Sequence, residues 1–70
     1  MSEGFKKDAE MTVGRRTIHQ GEKVKVKGYR GLWTFLAYVH PRDRRRRCWV
    51  DVYKDGQGHR SFYPDKIRKA

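Results

Sequence analysis

Acidic residues are scarce in this chain, and so are cysteine, proline and long apolar runs. Eight Asp and Glu face eighteen Lys and Arg, for a formal net charge of +10 over 70 residues. A surface that basic attracts polyanions and repels cationic ligands. The single cysteine, Cys48, excludes an internal disulfide. Folding without such staples suits a reducing compartment. Cys48 lies in an alternating apolar run and reads as a small buried residue. No stretch approaches the roughly 18 apolar residues of a membrane-spanning helix. The opening MSEGFKKDAE does not resemble a signal peptide. A soluble, cytoplasmic protein is the expectation.

What the chain does have is aromatics: two Trp, four Tyr and three Phe. These suffice for one small core. A domain of this size buries only about 60% of its unfolded surface and has room for one core. The charge is uneven. Residues 1–21 carry four basic and three acidic groups, whereas residues 22–70 carry 14 basic and 5 acidic. Residues 1–10 read as a flexible N-terminal tail, and residues 11–70 as a single small domain.

From Met11 onward short apolar runs alternate with turn signals. Met11–Val13 and Thr17–His19 are short extended pieces separated by Gly14. Lys23-Val24-Lys25-Val26-Lys27 alternates strictly, with both valines on one face and three lysines on the other. After the Gly28-Tyr29-Arg30-Gly31 turn comes Leu32–Val39, β-branched and aromatic-rich and apolar on both faces, which predicts a central strand. His40-Pro41 closes it. Cys48–Tyr53 alternates again, with Trp49, Asp51 and Tyr53 opposite Cys48, Val50 and Val52. Asp-Gly at 55–56 predicts a hairpin returning through His59–Tyr63. Pro64–Ile67 reads as one 3₁₀ turn before a last short strand at Ile67-Arg68. Strands and tight turns with almost no helix period predict an all-β fold of four to five short antiparallel strands, bent into a small barrel.

Gly21–Gly28 with Gly31 before a long strand, together with Ser61–Arg68, resembles the SH3-like barrels of the KOW and Tudor type, over about two-thirds of the chain. The composition and style also resemble small basic proteins encoded by bacteriophages of high-GC hosts. The barrel resemblance implies a binding module. KOW-type members often bind RNA or ribosomes, Tudor-type members bind methylated peptides in aromatic cages, and fold alone does not choose. Met11–Ile18 departs from the minimal barrel.

Arg42-Asp43-Arg44-Arg45-Arg46-Arg47 is the sharpest local feature. Guanidinium forks match phosphate oxygens bidentately. Mutual repulsion predicts an extended, mobile loop in the absence of a ligand. Lys23, Lys25, Lys27 and Arg60 add cations on neighbouring strands. Trp49 and Tyr53 add outward aromatics of the kind on which single-stranded bases stack. Trp33, Phe35 and Phe62 are expected in the core. Asp51, midway along a strand, is expected to pair with a cross-strand Arg or Lys. Tyr29, Tyr38 and Tyr63 could form a cage for a methylated cation, which the positive surface disfavours.

His19, His40, His59 and Cys48 show no compact ligand spacing, so no metal is expected; His40 and His59, near arginines, suit phosphate donation. Neither a nucleophile–base relay nor a phosphate loop is visible. The expectation is a non-enzymatic, cofactor-free nucleic-acid-binding module, DNA or RNA. Its contact residues would be Lys23, Lys25, Lys27, Arg42, Arg44, Arg45, Arg46, Arg47, Trp49, Tyr53 and Arg60. The alternative is a protein-interaction adaptor, such as a phage factor, that binds an acidic surface of a host protein.

Overall fold

A computed structural model describes residues 5–43 and 45–70, and the side chains of all of these except Phe5. Residues 1–4 of the expected tail and Arg44 of the arginine run lie outside the described residues.

Residues 5–8 of the same expected tail form the first strand, β1 (Phe5–Asp8). β2 (Glu10–Val13) and β3 (Arg16–His19) follow as a hairpin. Its two-residue loop opens with Gly14 at φ 61°, a conformation glycine adopts without steric cost. β4 (Lys23–Val26), β5 (Trp33–Pro41), β6 (Trp49–Lys54) and β7 (Gly58–Phe62) occupy the runs read from the alternation. The expected 3₁₀ turn (Pro64–Lys66) leads into β8 (Ile67–Lys69).

The chain is thus all-β and built of short antiparallel strands, as expected from the sequence, with eight strands among the described residues rather than four to five. The main sheet runs β7-β6-β5-β4-β8, with β1 added to β5. The long β5 is central. One edge pairs with β6; the other pairs with β4 near its start and β1 near its end. Pro41 pairs with Phe5 at the last position of β5, where a missing N–H interrupts little of the ladder. Leu36 is an extra residue between Phe35 and Ala37, a bulge of the kind that bends a strand.

The alternation of β4 does what its pattern dictates: Val24 and Val26 are buried while Lys23 and Lys25 are exposed. They join Trp33, Phe35, Val50, Val52 and Ile67 in one core. The β2–β3 hairpin, which departs from a minimal barrel, closes this core with Met11 and Ile18. Phe62 packs partly buried against it. Val39 is also fully buried but lies outside this cluster, opposite Trp49 in the β5–β6 register.

Candidate functional site

The turn between β4 and β5 places Tyr29 over one end of the core. Gly28 and Gly31 bracket it at φ 88° and 83°, and the Tyr29 N–H donates to the Val26 carbonyl at 3.0 Å. The Tyr29 ring meets Phe62 edge-on at 4.9 Å and Trp33 at 6.1 Å between centroids. Tyr29 is nevertheless 48% exposed. It lines two adjoining clefts.

The first cleft, about 730 Å³, is basic. Lys25, Lys27, Arg30 and Arg68 stand around the apolar surface of Tyr29 and Leu32. Lys25 and Arg68 are direct cross-strand partners of β4 and β8, both exposed. Like charges directly opposite each other destabilise a strand pair. An anion between them relieves that repulsion.

The second cleft, about 370 Å³, is aromatic. Tyr29, Trp49, Phe62 and Tyr63 form it, with Ser61 and Lys66. The arginine loop folds back beside it. The Arg47 guanidinium sits 4.0 Å from the centre of the Tyr63 ring and 3.6 Å from the Asp65 carboxylate. Arg46 lies 5.9 Å from the Trp49 ring centre. The extended loop expected from repulsion is therefore corrected. Asp43 accepts the Arg45 N–H at 2.9 Å through its side chain and the Arg46 N–H at 3.0 Å through its carbonyl, so the loop turns sharply. The turn and the attraction of guanidinium for aromatic faces outweigh repulsion between exposed, solvent-screened charges.

The other sequence-predicted residues lie elsewhere. Tyr53 points outward like Trp49 but lines a separate cleft with Lys23, Leu32, Lys54 and Asp55. Its hydroxyl donates to Asp55, which holds the phenol above its usual value. A carboxylate so placed repels phosphate. The Lys23 ammonium donates to Thr34 Oγ1 at 2.8 Å. Arg60 shares a further cleft with Lys7, Asp51 and His59. Asp51 accepts the Ser61 hydroxyl at 2.7 Å, its cross-strand partner in β6–β7. Arg42 and Arg45 are exposed on the loop. The four clefts adjoin one another in series: neighbouring pairs share Leu32, Tyr29 and Ser61.

His40 is engaged internally. Its Nδ1 lies 3.3 Å from Cys48 Sγ, and its Nε2 lies 2.9 Å from Asp8. That second contact lacks hydrogen-bond geometry. Its ring tilts against Tyr38 at 4.3 Å, and burial, then the neighbouring Cys48, raises the Tyr38 phenol. His59 is exposed beside Tyr53, 5.2 Å between ring centres. Tyr29, Tyr38 and Tyr63 do not share one cage: Tyr38 packs with His40, away from the cleft the other two line. Among the described residues no group of three or more His, Cys, Asp or Glu is placed to hold a metal ion. No helix among them is long and apolar enough to cross a membrane.

Sequence reading grouped Tyr29 with Tyr63, though as a cage for a methylated cation, and missed Lys66, Arg30 and Arg68 as their neighbours. The signal available was their position, in the β4–β5 turn and around the 3₁₀ turn, the segments a bent sheet brings to one end.

Fold and surface together define a small all-β domain whose cations and aromatics share adjoining clefts. The chain belongs to a family described as a domain of unknown function, DUF7246, whose model matches residues 2–70. No curated protein and no solved structure matches it.

Proposed function

We propose that this protein is a non-enzymatic nucleic-acid-binding module. The phosphate backbone is held in the basic cleft of Lys25, Lys27, Arg30 and Arg68, and further cations of the arginine loop extend the contact. The observation that carries this reading is the Lys25–Arg68 pair, two like charges opposed across a strand ladder at a cleft holding two more cations. A polyanion converts that repulsion into attraction. The resemblance to KOW-type barrels points the same way. Binding of this kind is mostly electrostatic and weakly dependent on sequence.

Fluorescence anisotropy with random-sequence oligonucleotides at low salt tests it. The triple variant Lys25→Ala, Lys27→Ala, Arg68→Ala should lose at least about tenfold in affinity. Arg15→Ala, in the β2–β3 turn away from these clefts, should lose little. Equal affinity for both variants, or no binding by the natural protein, contradicts the proposal. Retention of one acidic protein partner after nuclease treatment, with no oligonucleotide binding, favours the adaptor instead.

A further inference from the structure

We infer that the aromatic cleft is a slot for one unpaired nucleobase, so that the preferred ligand is a single strand. This rests on the nucleic-acid reading above and adds to it the strandedness of the ligand.

The walls are Tyr29, Trp49, Phe62 and Tyr63. Trp49 and Tyr63 flank the Val50↔Phe62 pair where β6 and β7 end, one residue beyond the ladder. Trp49 is half-buried and Tyr63 exposed, and both line the cleft. Tyr63 is 45% exposed although it is large and apolar. At about 370 Å³ the cleft lies in the size range of small-ligand sites, about 300–1,000 Å³. A base in a duplex has both faces covered by its neighbours in the stack; only an unpaired base offers a free π-face to such a slot.

The charge beside the slot is already positioned. Arg47 is held against Tyr63 by the ring and by Asp65, and Lys66 lines the cleft. Tyr29 lines both the slot and the basic cleft. Lys27 and Arg30 line the basic cleft on the other side of Tyr29, within the surface open to the phosphates that adjoin a base in the slot. A tether of aromatic and cationic groups on one short path matches one nucleotide and its flanking phosphates.

The test measures affinity for four probes of equal length: single-stranded oligo-dT, single-stranded oligo-rU, a blunt duplex, and an oligonucleotide of abasic deoxyribose units. Abasic strands keep the phosphates and lose the bases. At least one single strand should bind at least about fivefold tighter than both duplex and abasic probes. Which of dT and rU is tighter identifies the source of the strand. Tyr63→Ala should remove this advantage, whereas Tyr63→Phe keeps it; circular dichroism confirms that both variants fold. Equal binding to single-stranded, duplex and abasic probes overturns the slot and leaves the electrostatic reading intact. Binding to none of them at low salt removes both.

Discussion

At the scale of single residues, Phe35 and Gly31 carry different physics. Phe35 is fully buried at the bulge of β5. Truncation of a buried Phe to Ala costs about 3–5 kcal/mol through lost transfer energy and the cavity left behind. A small single core supplies no more than about 3–5 kcal/mol in total. Phe35→Ala is therefore expected to be largely unfolded at 25 °C, which circular dichroism and a urea titration read directly. Gly31 has φ 83°, and an added Cβ would meet the Lys54 ammonium at 2.7 Å. That ammonium also donates to the Arg30 carbonyl at 2.7 Å. Gly28 has a similar φ of 88° but open space where a Cβ would stand. Both alanine substitutions carry the backbone strain, more than about 1 kcal/mol. Gly31→Ala should lower the urea midpoint further than Gly28→Ala, because it alone displaces Lys54 from the turn that holds Tyr29.

At the scale of elements, Glu22 ties β3 and β4 to β8. One carboxylate oxygen accepts the His19 N–H at 2.7 Å and the other lies 3.7 Å from Lys69. The His19 hydrogen bond, then Lys69, holds this carboxyl below its usual value. A depressed carboxyl contributes stability that is present above its ordinary value and lost as pH falls through the folded one. The thermal midpoint of the natural protein should fall with acidification, and that of Glu22→Gln should fall less steeply over the same range. The order of elements was legible because period-two alternation and glycine turns act locally: Val24 and Val26, the Asp55-Gly56 hairpin and the Pro64 turn all lie where pattern places them. The pairing of β1 with the far end of β5 was not legible, since Lys6 and Lys7 carry no apolar alternation and the partner is over thirty residues away. Nor was the folding-back of the arginine loop, which depends on the turn at Asp43 and on Arg47 meeting Tyr63 and Asp65 in space.

At the scale of the whole molecule, the excess positive charge is graded. The four cations of the basic cleft and those beside the aromatic slot adjoin through Tyr29, while Lys23 and Arg60 extend into the flanking clefts. Trp49 and Tyr53, one pair in the sequence, divide between two clefts of different charge because Asp55 accompanies Tyr53. Removing the loop cations by Arg46→Ala with Arg47→Ala should weaken oligonucleotide binding and make it less salt-dependent, without unfolding the domain; anisotropy at two salt concentrations reads both.

The most direct measurement is the affinity for a single-stranded oligonucleotide across a salt series. If about four phosphates are engaged, the logarithm of the association constant should fall against the logarithm of salt with a slope near −2.8, and near −3.6 for a duplex. A slope near zero, or no measurable binding at the lowest salt, would contradict the assignment of these clefts to a phosphodiester chain.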